Sequence, residues 1–127
     1  MLTTGAEVGA PAALAWRVMV DVGRWGAWGP TVRGGELDGP FEDGTRGRVQ
    51  VVGGVWLPFE LRDVVVGRRW GWRVSGVPAT THLVDDLGAG RCRVRFGVPL
   101  LAAPYLAVCR VGAQRLARLV EADAARR

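Results

Sequence analysis

The sequence predicts an α+β fold: a seven-stranded curved antiparallel sheet wrapped around a long C-terminal helix, with two short helices after the first strand. Three observations predict it. Apolar spacing changes from helical to period two near Pro30 and stays so to Val98. Turn-forming clusters then recur about every ten residues, at Asp38-Gly39-Pro40, Glu42-Asp43-Gly44, Gly53-Gly54, Gly67, Gly76-Val77-Pro78 and Gly88-Ala89-Gly90. The last segment, 101–124, is amphipathic at helical spacing. A sheet with one dry face needs a covering layer, and this helix is the only large element available.

Residues 2–9 read as the opening strand. Pro11 suits a first helical turn, and a helix over 11–21 presents Leu14 and Val18. Between Asp21 and Pro30 a second helical piece puts Trp25 and Trp28, three apart, on one face, and Pro30 ends it. The remaining strands are expected over 31–38, 45–53, 55–66, 68–77, 79–87 and 91–98, as consecutive hairpins. In the last of them Cys92, Val94 and Phe96 alternate with Arg91, Arg93 and Arg95, a dry face and a wet one. The terminal helix carries Tyr105, Val108, Cys109, Gly112, Leu116, Leu119 and Val120 on its dry stripe, with Pro104 in its first turn.

Residues 55–73 are the most informative stretch. Phe59 and Leu61 share one face of their strand, and Trp70 and Trp72 share one face of the next. Two indoles on one wall make either a large core or the lining of an aromatic-friendly cavity. Phe59, Leu61, Trp70, Trp72, Val94, Phe96 and Val108 are the candidate ligand-binding residues. Trp16, Trp25 and Trp28 are expected to fix the short helices against the sheet. Trp56, of opposite parity to Phe59, is expected at a sheet edge or pocket mouth. Glu60, Arg73 and Gln50 are expected to face solvent.

Length and composition bound the function. A chain of 127 residues makes one domain with a core that needs no staples. The net charge of +5 invites a nucleic-acid reading. The charges are scattered, however, and 17 Arg with no Lys, no Ile and no Asn reflect codon bias. Nucleic acid is therefore not an expected partner. Cys92 and Cys109 read as buried, inert thiols. No leader of a charged and then an apolar segment opens the sequence. The longest apolar stretch, 97–109, is broken by Pro99 and Pro104. The expectation is a cytoplasmic protein without stable membrane insertion, monomer or homodimer.

The order and spacing of several short motifs resemble the SRPBCC superfamily, also called START-like or birch-pollen-allergen-like, and in particular its polyketide cyclase/dehydrase branch. The opening pattern is matched by Ala10-Pro11-Ala12-Ala13-Leu14-Ala15-Trp16, Asp21, Trp25 and Trp28-Gly29-Pro30. Gly44-Thr45, Pro58, Phe59, Leu61, Gly67-Arg68, Trp70, Trp72 and His82 follow in the family's order. The chain departs from the pattern in a shorter front, in Val66 where the turn usually has proline, and in Gly90-Arg91 where Gly-Thr is usual. The resemblance covers essentially the whole chain. It implies the helix-grip fold and a hydrophobic ligand cavity, and it implies no reaction, because the family shares no catalytic residue.

The candidate catalytic residues are His82 and Tyr105. His82 is the only histidine, the one side chain that titrates near neutrality unaided. It shares a strand face with Thr80 and Val84. Facing inward it can serve as a general acid or base, or it can simply be a hydrogen-bonded core histidine. Tyr105, the only tyrosine, can donate to a ligand carbonyl or be satisfied by a backbone oxygen. No metal-ligand cluster is apparent, and Ser75, the only serine, has no nucleophile motif around it. The glycine pairs Gly34-Gly35 and Gly53-Gly54 lack the strand–turn–helix context of a phosphate loop. No cofactor is expected.

Three functions compete. The first is binding of a polyketide-like, lipid or polycyclic molecule, with its cyclisation or dehydration assisted by His82 or Tyr105. The second is a non-catalytic carrier or sensor. The third is an interaction module meeting an acidic partner through Arg91, Arg93, Arg95, Arg115 and Arg118.

Overall fold

A computed structural model describes residues 1–127. Its seven strands are β1 (Leu2–Val8), β2 (Val32–Leu37), β3 (Arg46–Val51), β4 (Trp56–Val65), β5 (Arg69–Val74), β6 (Val77–Gly88) and β7 (Arg91–Val98). They form one antiparallel sheet in the order β1-β7-β6-β5-β4-β3-β2. The helices are α1 (Ala12–Met19), α2 (Trp25–Trp28) and α3 (Leu106–Ala125). A 3₁₀ turn over Val22–Arg24 leads into α2, and another over Leu100–Tyr105 leads into α3. This is the helix-grip arrangement, a curled half-barrel holding one long helix.

The sheet's inner face and α3 make the core. Helix α3 buries Cys109, Gly112, Ala113, Leu116, Ala117 and Val120, against β1, β7, α1 and α2. Small residues let it approach closely. A Cβ at Gly112 would stand 3.3 Å from the ring of Phe96. At the other end of the chain path, the carboxylate of Asp123 accepts two bonds from Arg24, at 2.5 and 3.0 Å, tying the end of α3 to the turn before α2. That guanidinium holds the Asp123 carboxyl below the usual carboxylate range.

The wet face is laced by cross-strand ion pairs. Arg91 and Arg93 share Glu7, and Arg95 pairs with Asp85. Arg46 and Arg62 share Glu60, and Arg48 pairs with Glu36. The arginines on which an acidic-partner reading rests in β7 are thus already paired with carboxylates, three arginines with two acids. Trp56 lies on this outer face, with the Arg48 guanidinium 5.0 Å from its ring. It is not on an edge strand, and it does not line the cavity. Gln50 and Glu60 are half-buried rather than free in solvent, and the Gln50 amide donates to the Gly54 carbonyl at 3.2 Å.

The strands fall where the turn chemistry predicts, except that β6 begins at Val77, inside the expected Gly76-Val77-Pro78 turn, which closes on Ser75-Gly76 instead. The terminal helix does not begin where predicted. Pro104 has no N–H to give a helical ladder, Pro99 precedes the segment, and Ala102 leaves helical geometry at φ −102°, ψ 20°. The chain therefore makes a 3₁₀ turn first, and Tyr105 sits on that turn, partly exposed, rather than on the helix's dry stripe. No helix is long and apolar enough to cross a membrane.

Candidate functional site

The register of three strands builds the site. Trp70 of β5 lies opposite His82 of β6, and His82 lies opposite Phe96 of β7. Period two then places Trp72 and Thr80 on the same inner face. Helix α2 closes over this wall from above and adds Trp25 and Trp28. Strand β2 admits the first of these through Gly35, whose Cβ would meet the Trp25 ring at 2.9 Å.

The aromatic rings fill most of the space between sheet and helix. Trp70 stacks on Trp25, centroids 5.4 Å apart and planes 6° from parallel. It also stacks on His82 at 3.8 Å and 11°. Trp72 stands edge-on to Trp25, Trp70 and His82. Trp28 packs against His82 and Phe96. What remains is a small inner cavity of about 50 Å³ beside His82. An outer one of about 290 Å³ opens at the end of the barrel where β3 and β7 finish. Thr31, Val32, Trp72, Thr80 and Tyr105 border both. The outer compartment is walled by aliphatic residues such as Val49, Val51, Val74 and Val98.

The polar groups form a closed chain. The Trp72 indole N–H donates to Thr80 Oγ1 at 3.0 Å. Thr80 Oγ1 lies 3.2 Å from His82 Nε2, and His82 Nδ1 lies 3.3 Å from the Trp70 carbonyl oxygen. A carbonyl only accepts, so Nδ1 carries the proton. Nε2 of the neutral ring then accepts from the Thr80 hydroxyl. Burial pushes the His82 pKa down to about 3, against the smaller opposing effect of the Trp70 carbonyl. His82 is therefore neutral, and no carboxylate orients it. Burial likewise pushes the Cys92 thiol up to about 11, helped by Asp86, Asp85 and Glu121, and raises that of Cys109.

Of the residues predicted from sequence, His82, Tyr105, Trp70, Trp72, Phe96 and Val108 are brought together around the inner cavity. Phe59, Leu61 and Val94 are not: they lie in the closed core, and Phe59 packs against Trp25 and Trp72. The Tyr105 hydroxyl meets the Thr31 hydroxyl at 2.7 Å, not a backbone oxygen. Sequence reasoning gave Trp25 and Trp28 a purely structural role, yet both line the cavity. It did not single out Thr31 at all. Two buried donors have no partner, the indole N–H groups of Trp28 and Trp70.

Comparison with known proteins agrees with this geometry. The family model described as "Polyketide cyclase / dehydrase and lipid transport" matches residues 2–125. No curated protein matches the sequence. The fold is similar to that of the di-domain aromatase/cyclase StfQ from the steffimycin biosynthetic pathway, with TM-score 0.75 and 19% identity over 99% of this chain and 47% of that one. This chain thus spans about half the length of StfQ. It is also similar to the Zhui aromatase/cyclase from Streptomyces sp. R1128, with TM-score 0.70 and 17% identity over 94% of this chain and 92% of that one. A START superfamily protein from Mycobacterium smegmatis gives TM-score 0.68 and 13% identity over 98% and 97%. These identities carry the fold, and the family model carries the kinship: the chain belongs to the polyketide cyclase/dehydrase and lipid-transport family.

Proposed function

We propose that this protein binds an uncharged hydrophobic small molecule, polyketide-like, lipid or polycyclic, as a carrier or sensor. One observation carries the reading. Every polar group at the cavity is neutral: the His82–Thr80–Trp72 chain and the Thr31 and Tyr105 hydroxyls. A charged guest would lose its hydration there without a counter-ion. A guest with a carbonyl or ether oxygen can accept from the Thr31–Tyr105 pair, where two hydroxyls share one bond and one O–H stays free to donate. The unpaired, buried thiols of Cys92 and Cys109 suit the reducing cytoplasm.

Calorimetric titration with two probes of similar shape tests this. The ketone 1-acetonaphthone is expected to bind, and the anion 1-naphthoate is not. Equal affinity for the two, or binding of the anion alone, removes the reading.

A second reading is cyclisation or dehydration of a flexible polyketide chain, held by the aromatic wall in a reactive conformer. The stacked rings that line the inner cavity favour it, since they offer such a chain a rigid flat surface. His82 can act as a base in such a reaction only when Thr80 releases Nε2. Turnover of a polyketide chain that survives His82→Ala unchanged would take His82 out of that chemistry.

A further inference from the structure

The two ends of the barrel differ in charge. Residues 28–32, 51–55, 74–79 and 98–105 surround the cavity mouth, and not one of them is charged, in a chain that is 23% charged. The opposite end is bounded by turns and adjoining strand ends carrying Asp38, Glu42, Asp43, Asp63, Arg68, Arg69, Asp85 and Asp86. The mouth also holds bare aliphatic side chains. Leu101 is fully exposed, and Leu100, Val77, Val52 and Val55 are 69%, 63%, 62% and 56% exposed. One step behind this rim stand Arg33, Arg73 and Arg110, all exposed and none in an ion pair. Most arginines of the sheet's outer face, by contrast, are paired with Glu or Asp.

We propose that this rim is a docking surface for an anionic lipid bilayer, with the cavity mouth facing the membrane. The aliphatic tip would enter the acyl boundary while the arginine collar meets the phosphates. The net charge of +5 adds long-range attraction. A protein partner fits less well. Protein interfaces surround their apolar centre with polar, solvent-accessible groups, whereas here the rim itself lacks charge and the cations stand in one layer behind it. The attachment is peripheral, distinct from a spanning segment. It would let an apolar guest pass between bilayer and cavity without crossing water. The inference does not depend on which guest the cavity takes.

Co-sedimentation of the full chain with vesicles tests it, using phosphatidylcholine alone and phosphatidylcholine mixed with phosphatidylglycerol. The protein should pellet with the anionic vesicles. Leu101→Asp should cut that partition by at least about tenfold. Arg110→Glu should reduce it as well. Val66→Asp, at a 78% exposed position at the opposite end, should leave it unchanged. Circular dichroism establishes that each variant is folded. The proposal is overturned by absence of pelleting, by Leu101→Asp pelleting like the parent, or by Val66→Asp losing as much as Leu101→Asp. It is also overturned if Leu101→Asp instead turns a dimer into a monomer, which assigns the rim to a second copy of the chain. The naphthyl titration reads the cavity and not the rim, so the two ideas fail separately.

Discussion

The imidazole of His82 lies flat on the indole of Trp70, centroids 3.8 Å apart, and its Nδ1 faces that same residue's carbonyl oxygen at 3.3 Å. One residue thus supplies both the stacking surface and the acceptor that selects the tautomer. The pairing is a direct result of register, because Trp70 and His82 are cross-strand partners in β5 and β6. Burial, against the opposing pull of the Trp70 carbonyl, keeps the only histidine neutral. A second proton would have to sit on Nε2, where Thr80 donates, in a cage of indole and phenyl rings with no carboxylate to balance it.

Acid should therefore weaken the fold through His82. Its pKa is about 3 in the folded chain against 6.5 for the free side chain. Between these values the unfolded chain binds a proton that the folded chain refuses, so stability is complete above about pH 6.5 and falls as pH drops toward 3. The slope is about 1.4 kcal/mol per pH unit for this one group. Urea midpoints measured from about pH 6.5 to about pH 5, above the ordinary carboxylate range, should fall for the parent. They should be nearly flat for His82→Phe, which keeps a ring on Trp70. Equal slopes in the two proteins would show that His82 is not the group responsible.

Trp70 should be the most costly aromatic to remove. It is 1% exposed and touches Trp25, Phe41, Trp72 and His82. Trp70→Ala should cost about 3–5 kcal/mol, through lost burial and the void left behind. That void adjoins the inner cavity, so free indole should enter it and raise the melting temperature of the variant while leaving the parent unmoved. An equal response from both proteins would mean that the neighbouring rings collapse into the space.

The sheet was legible because its information is local. Each turn carries glycine, proline or aspartate, and the strands keep period two, so the shared face of Thr80, His82 and Val84 follows from parity, while its inward direction shows only in the folded chain. The cavity was less legible because it is bounded by elements remote in sequence. Trp25 and Trp28 show helical spacing, which says that they share a face and nothing of what that face covers. Gly35 reads as one of a glycine pair, and only the folded chain shows the Trp25 ring lying against it. Phe59 and Trp72 have the same pattern on adjacent strands. One is sealed under Trp25 while the other borders both compartments, a difference set by where α2 lands. Tyr105 was misplaced for a different reason: a helical stripe extrapolated through Pro104 ignores the turn that the proline forces.

The bond between Thr31 and Tyr105 should control entry to the inner cavity. Their hydroxyls meet at 2.7 Å, joining the segment after α2 to the turn before α3, and both residues border the inner and the outer compartment. The bond is exposed to solvent, so it contributes only about 1 kcal/mol or less to stability. Tyr105→Phe keeps the ring and removes the bond. It should leave the urea midpoint nearly unchanged and speed the association of 1-acetonaphthone several-fold, followed by tryptophan fluorescence in a stopped-flow instrument. Dissociation should quicken in parallel, so that affinity moves little. Thr31→Val should do the same, and the double variant should go no further than either single one, because the two substitutions break one bond. Unchanged association rates in both single variants would show that a guest enters without parting these hydroxyls.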